Sequence, residues 1–533
     1  MTSLMNQNDF SAVDAKQALT AKAQAKPKSR VGILGGGTAG STIAIRLAAL
    51  GVETYLFEKK ASLIDGPPMC HLHAGGNLYR EIPDEDCVAL LEQCIDIVRL
   101  YPYTIDIRPT VFAVPTRDDG APEDLLPRLD ALKNAYQALV DSDINNKVLG
   151  EPDNYYQLYS HERLLELAKL PQVAVPATLD EWLIPVAKHL DLNKVKFPLI
   201  AVQEYGWNIF RLAASAKLAL EEYPNAHVLT NTIVQNVAPL ECENCSNANH
   251  HVSKWRIDYQ KASSNAKEDS ALQSVEVDFL INAAGFRTGI IDDLVGVSVT
   301  RMVEFKSSFV THWDNAGGQI PEIIIYGERG TPEGMAQLTP YPNGYFQIHG
   351  MSKFITLFDD GLVASSKDSA QPKLAKKYVD YIDNGWDKSA LQARAQQAID
   401  YVAEFVPKFT SARTTQNALF GAQQIPGEDD TLRVADVSLY PNLHYARAEN
   451  VKASSTLIAA DEIVKQLVTL NMIDKSAADD HYRKNHEWQY LVHNDDTHID
   501  SVARMLAVNR DFPADMAWVN KGMRLAALCS LTP

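Results

Sequence analysis

Near the start of the chain, Gly35-Gly36-Gly37-Thr38-Ala39-Gly40 has the G-x-G-x-x-G spacing that cradles a pyrophosphate. Gly35 makes the tight turn, Gly37 lets backbone approach the phosphates, and Gly40 lets the following helix pack closely on a sheet. A helix opening at Thr38 and Ala39 offers free N–H groups and a positive dipole end to the phosphate oxygens. Further on, Glu58 stands at the distance where a carboxylate meets an adenosine ribose. Lys59 and Lys60 follow it, yet an acid at that position favours plain adenosine over a 2′-phosphorylated one. Next comes a loop, residues 61–82, punctuated by Gly66-Pro67-Pro68 and Gly75-Gly76. His71, His73, Tyr79 and Arg80 crowd into it, and polar side chains in such a place suit the lining of a site.

The elements that must hold these residues show as patterns. Val31, Ile33 and Leu34 read as a buried parallel strand running into the glycine turn. Ala44, Leu47 and Ala48 continue a helical apolar face that Gly51 closes, and residues 52–57 form the second strand, ending at Glu58. Residues 84–100 make an amphipathic helix through Val88, Leu91, Ile95 and Val98. A helix over 209–223 and a strand over 228–237 follow. Residues 275–284 then read as one buried strand ending in Gly285-Phe286-Arg287, where a parallel sheet would approach the dinucleotide again. Helical patterns also cover 163–170, 179–190, 373–382 and 391–405.

A formal charge of −17 over 533 residues makes nucleic acid and anionic membrane poor partners, so a small-molecule substrate is expected. No window approaches the ~20 apolar residues of a transmembrane segment. The six cysteines are too sparse for a disulfide scaffold, which points to a cytoplasmic protein. Cys242-Glu-Asn-Cys245, with His250 and His251 after it, has zinc-like spacing but sits in an Asn- and Ser-rich stretch without a second C-x-x-C. A loop is the simpler reading, and no metal is expected. Residues 1–29 are polar and read as a mobile arm.

Taken in order, four blocks resemble the D-amino-acid oxidase superfamily of FAD-dependent oxidoreductases. That group includes glycine and sarcosine oxidases, glycerol-3-phosphate dehydrogenase and L-2-hydroxyglutarate dehydrogenase. The blocks are residues 31–59, the His-Leu-His-Ala-Gly-Gly loop at 71–76, the helix and strand over 205–237, and residues 275–286. Residues 301–313 resemble the strand crossing into the family's substrate sheet. Residues 335–351 resemble the hairpin above the flavin ring, with Pro342-Asn343-Gly344 as its turn, and 421–464 resemble the closing segment. Leu457, Ile458, Ile463 and Val464 are expected to form the apolar face of the last helix.

The resemblance implies an α/β protein with an α+β substrate domain. A Rossmann-like FAD-binding domain would comprise 30–108, 195–300 and 415–470, and a mixed-sheet substrate domain with an insertion would take 109–194 and 301–414. Residues 471–533 would be a helical C-terminal appendage, with Trp488, Tyr490 and Trp518 available to bury. It further implies FAD contacts from Gly35, Gly37, Thr38, Ala39, Gly40, Glu58 and Lys59, then from His73, Ala74, Gly75, Val234, Ala284, Gly285, Lys452 and Ser454. The stretch His73-Ala74-Gly75-Gly76 is similar to the loop whose histidine carries the flavin 8α-methyl in dimethylglycine and sarcosine dehydrogenases, although Leu72 replaces their tryptophan. Gln423 stands where many members carry an arginine.

A family of this kind oxidises a C–N or C–O bond of small amino acids, amines or hydroxy acids. An anionic substrate needs a cation, for which Arg287, Arg301, Lys306 and Arg447 are the candidates. An alcohol donor needs a base, and His73 and His349 suit that task by position. Two other classes fit parts of the chain. Asp180-Glu-Trp-Leu-Ile-Pro185 matches the second half of the W-x-W-x-I-P signature of flavin-dependent halogenases and monooxygenases. A non-catalytic flavoprotein is compatible with the fold as well.

Overall fold

The computed structural model describes residues 29–66, 69–71, 82–241, 252–262, 271–314, 317–429, 436–449, 452–478 and 495–521. Strand Arg30–Leu34, buried from Val31 onward, lies inside a six-stranded sheet. Its order is Asp436–Tyr440, Tyr445–Glu449, Phe279–Asn282, Arg30–Leu34, Glu53–Phe57, Ala226–Leu229. Neighbours run parallel except the outer pair Asp436–Tyr440 and Tyr445–Glu449. Parallel strands are covered on both faces, which is why their sequences are near-continuous apolar runs. Helices Thr38–Ala49, Ile209–Glu221 and Thr456–Thr469 contribute to the core on one side. On the other lies an antiparallel sheet of Thr232–Glu241, Val252–Lys261 and Gln273–Val277, whose Trp255 and Ile257 pack with Leu34 and Leu280.

The second large sheet is mixed and nine-stranded, built around the twelve-residue strand Arg301–His312. That strand pairs with Tyr345–Gly350, Leu362–Ala364 and Arg413–Pro426. Side chains alternate across it. Phe309, Ile323, Ile325, Leu338 and Ile348 point into a core shared with helices Leu179–His189 and Lys388–Ala403. Between them, Lys306, Ser308, Gln337, Thr339, Gln347 and His349 line a cleft on the opposite face.

Two runs that read as single strands are divided. The pattern over 228–237 breaks at Asn231, whose φ of +50° turns the chain out of the parallel sheet and into the antiparallel one. The run over 275–284 divides at Asp278, between strands that belong to those same two sheets. There the Asp278 carboxylate accepts a bond from Arg30 N at 2.8 Å. Leu457, Ile463 and Val464 are buried as expected, whereas Ile458 is 42% exposed and leaves the apolar face. Trp182 and Ile184 of the halogenase-like stretch are buried in helix Leu179–His189, and Asp180 pairs with Arg163. Trp182 also borders a cavity of about 790 Å³.

The C-terminal segment is knitted into the first core. Helix Asp496–Asn509 packs along Ile209–Glu221, burying Ile499, Ala503, Leu506 and Ala507. Arg211, fully buried, reaches Asp500 at 2.8 Å and also Asp496. Asn208 donates to Met516 O at 2.8 Å, and Asp106 accepts from Asn520 N at 2.7 Å. Trp518 stays 38% exposed, while Trp488 and Tyr490 lie outside the described residues. No described helix is long and apolar enough to cross a membrane.

Candidate active site

The glycine turn is built by close approach. Gly35 has φ +106°, and a Cβ there would stand 2.3 Å from Ala283 O. A Cβ on Gly40 would fall 1.8 Å from Gly35 O, so the helix meets the turn only with glycine at that position. Gly37 differs: an added Cβ meets nothing within 4 Å, and the residue borders the cleft. Helix Thr38–Ala49 starts there without a side-chain cap, which leaves its first N–H groups for a ligand.

Glu58 sits at the tip of Glu53–Phe57. One carboxylate oxygen accepts from Gly36 N at 2.8 Å and the other from Lys60 N at 2.7 Å, so its direction is fixed. Burial pushes this carboxyl upward, opposed by those two amides. Each oxygen retains a second lone pair for a hydroxyl. Lys59 pairs with Asp383 at 3.1 Å, and burial lowers its pKa. Arg287 lies over the Phe286 ring and pairs with the same Asp383 at 2.7 Å. Gly285 has φ +61° and borders the cleft, with Ala284 preceding it.

Beside Glu58, the C-terminal segment supplies residues that no local pattern announced. Arg510 donates to Ser62 Oγ at 2.9 Å, Leu63 O at 2.8 Å and Ile64 O at 3.0 Å, and pairs with Asp65 at 3.4 Å. It thereby braces a loop in which Ile64 holds φ +52° and donates from N to Gly36 O at 2.8 Å. Arg510, Asp511 and Phe512 all line the cleft.

The cleft has a volume of about 1310 Å³. That exceeds the roughly 300–1,000 Å³ of ordinary small-molecule pockets and leaves room for a dinucleotide with a second ligand. From Gly37, Glu58, Lys59 and Gly285 it runs on to the polar face of the mixed sheet. There Lys306 Nζ donates to Gln423 Oε1 at 2.6 Å and pairs with Glu304 at 3.1 Å. His349 Nδ1 lies 2.9 Å from Gln337 Oε1. Gln347 donates to Ser308 Oγ at 3.1 Å.

Other expected site residues are not among those lining the cleft. Arg301 and Arg447 are not available to a substrate. Both are buried with Asp292 and Glu449, Arg301 at 2.6 and 3.2 Å and Arg447 at 3.0 and 2.8 Å. Two guanidinium groups and two carboxylates there neutralise one another between the sheets. Val234 stands at a bulge of the antiparallel sheet and is not among the residues lining the cleft. Lys452 precedes the turn Ala453–Ser455 that opens helix Thr456–Thr469. Ser454 Oγ and Thr456 Oγ1 are buried there without a hydrogen-bond partner among the described residues. A buried hydroxyl left so costs about 1–3 kcal/mol, so this helix start fits a bound polar group. His73, Ala74 and Gly75 lie outside the described residues, as do Cys242, Cys245, His250 and His251. Among the described residues, no group of three or more His, Cys, Asp or Glu is placed to hold a metal ion.

Two measurements follow from the dinucleotide end. Charge-assisted bonds from a ribose to Glu58 contribute on the order of 1.5–3 kcal/mol each. Glu58→Ala is therefore expected to weaken retention of a bound dinucleotide at least ~10-fold, and full retention through dialysis would remove the carboxylate from the site. Arg510→Ala should loosen residues 61–66, raising the amide exchange of Ile64 and the dissociation constant of a bound dinucleotide together. Faster exchange with unchanged affinity would confine Arg510 to holding the loop.

No protein-family model matches the chain, and no curated protein matches it. Solved structures do. The L-amino acid deaminase from Proteus vulgaris is similar with a TM-score of 0.50 and 14% identity, over 84% of this chain and 95% of that one. A point mutant of NikD, an unusual amino acid oxidase, is similar with a TM-score of 0.50 and 10% identity, over 86% and 97%. The glycerol-3-phosphate dehydrogenase from Bacillus halodurans, complexed with FAD, aligns with a TM-score of 0.49 and 14% identity, over 98% and 80%. In its fold, a six-stranded dinucleotide-type sheet joined through one cleft to a mixed sheet, the chain is similar to that deaminase and to NikD, in keeping with the resemblance of its sequence.

Proposed function

We propose that this protein is an FAD-dependent oxidoreductase that oxidises a C–N or C–O bond of a small amino acid, amine or hydroxy acid. The observation that carries this is the single cleft that joins the glycine turn and Glu58 to Lys306 and His349 on the mixed sheet. Bound FAD would supply the two-electron acceptor. The chain's own part is to bind and orient. The start of helix Thr38–Ala49 would hold the diphosphate, Glu58 the ribose hydroxyls, and the start of helix Thr456–Thr469 the polar edge of the ring system. Lys306, with Gln423 beside it, would hold a substrate carboxylate or phosphate, and His349 would take a proton from the donor atom.

The purified protein is expected to be yellow, with one FAD per chain released by acid and no NAD. A panel of amino acids, amines and hydroxy acids, added without oxygen, should then contain a compound that bleaches the flavin. Bleaching by NAD(P)H alone would replace this reading with a monooxygenase. No bleaching by any donor would leave a flavoprotein without turnover. Reoxidation in air, against reoxidation only by a quinone, separates oxidase from dehydrogenase.

A further inference from the structure

Behind His349 runs a line of buried polar groups. His349 Nδ1 meets Gln337 Oε1 at 2.9 Å, and the Gln337 amide nitrogen donates to Glu322 Oε1. Glu322 Oε1 also accepts from Thr339 Oγ1 at 3.3 Å, while Oε2 pairs with Arg108 at 2.5 Å. Arg108 pairs in turn with Asp106 at 2.9 Å, and its guanidinium lies against Gly206, where a Cβ would come within 2.8 Å. Glu322 is fully buried, and Arg108 and Gln337 nearly so. Two carboxylates face one guanidinium at the far end of this line, where Asp106 and Arg108 border a second cavity, and the near end is the imidazole in the cleft.

The direction of each bond follows from the far end. Glu322, ion-paired to Arg108, is an acceptor and can only receive the Gln337 NH₂. The Gln337 oxygen must then face His349, and a carbonyl oxygen can only accept. Nδ1 therefore carries the proton, and in neutral imidazole Nε2 does not.

We propose that Glu322, acting through Gln337, is a positioning residue that holds His349 in the Nδ1–H tautomer, leaving Nε2 as the nitrogen that receives the substrate's proton. This rests on the cleft being the substrate site. In the step, the O–H or N–H bond of the donor breaks, its electron pair stays on the heteroatom, and an Nε2–H bond forms. The resulting imidazolium is stabilised through Gln337 by the Glu322 carboxylate. Among the described residues that line the same cleft, the strands packed around His349 contribute Thr339 on Ala336–Pro340, Gln347 on its own strand, Lys306 and Ser308 on Arg301–His312, and Gln423 on Arg413–Pro426. Lys306 is the one formally charged group among them.

The tautomer is read without turnover, from two-bond proton–nitrogen correlations of protein labelled at histidine nitrogens. His349→Gln identifies the ring signals. The Nδ1–H pattern is expected in the parent, and loss of its predominance in Gln337→Met. An Nε2–H pattern in the parent, or no change in Gln337→Met, overturns the proposal. With a donor from the bleaching screen, Gln337→Met should slow flavin reduction about 10-fold or more at unchanged KM, the scale on which partners that orient histidines act. The acid limb of its pH profile should shift downward, because the imidazolium has lost its support. On a His349→Gln background the same substitution should add nothing, and an equal loss in both backgrounds overturns the proposal. If Gln337→Met does not fold, Glu322→Gln serves instead, since an amide there can donate to Gln337 and release the relay. Absence of any bleaching donor would count against the functional reading while the tautomer result stood by itself.

Discussion

Gly37→Val is expected to fold as the parent does and to emerge without flavin. The backbone at Gly37, φ −68° and ψ −171°, is extended and open to any residue. A Cβ there meets no protein atom within 4 Å. Nothing in the folded chain therefore resists the valine, and its methyl groups enter the space where phosphates must approach the N–H groups of helix Thr38–Ala49. Losing even 1.4 kcal/mol of that contact weakens binding about tenfold, and displacing the diphosphate from the helix start removes more. Acid-released FAD per chain, read beside the denaturation midpoint, checks both halves. Gly40→Ala is the contrasting variant. Its methyl would sit 1.8 Å from Gly35 O, a backbone atom that cannot swing aside, so stability should fall before any ligand is added. If Gly37→Val kept a full complement of FAD, the glycine turn would not be the phosphate site.

Arg301→Met should be the most destabilising of the cation substitutions, and for a reason unrelated to substrate. The guanidinium is fully buried, 2.6 Å from Asp292 and 3.2 Å from Glu449, and bonded to Thr288 Oγ1. Removing it leaves the two buried carboxylates with one guanidinium, Arg447, and at Asp292 the Tyr445 hydroxyl. Breaking a buried pair from one side costs about 3–5 kcal/mol, mostly from the charge left behind. A large drop in the urea midpoint, or insoluble protein, is the expected result. Lys306→Met should cost nearer 1 kcal/mol, because Glu304 retains Arg329 at 2.8 Å, and its main effect should fall on the apparent affinity for an anionic donor. Parent-like stability in Arg301→Met with loss of flavin reduction would return that arginine to the substrate.

The contrast between these arginines shows where sequence stops. A glycine turn, a strand ending in Glu58 and a helix starting at Thr38 are local: spacing along the chain fixes their geometry, because φ, ψ and the helix dipole act over a few residues. The sequence by itself therefore determined the dinucleotide-type unit, and its resemblance to a family pointed to a strand over 301–313 and to the hairpin over 335–351 that carries His349. Pairing across the chain was not legible in it. Arg301 and Lys306 lie five positions apart on one strand. Side-chain alternation turns one toward Asp292 and the other toward the cleft, and which face is buried depends on what packs there. The divisions at Asn231 and Asp278 were hidden because strand-like residues resume just beyond each, at Ile233 and at Phe279, while the chain changes sheets. Arg510 reaches a loop more than 440 residues earlier, and Gln337 joins Glu322 to His349 only because three strands present the same face. Such contacts are set by packing of distant segments, and the tertiary structure alone decided them.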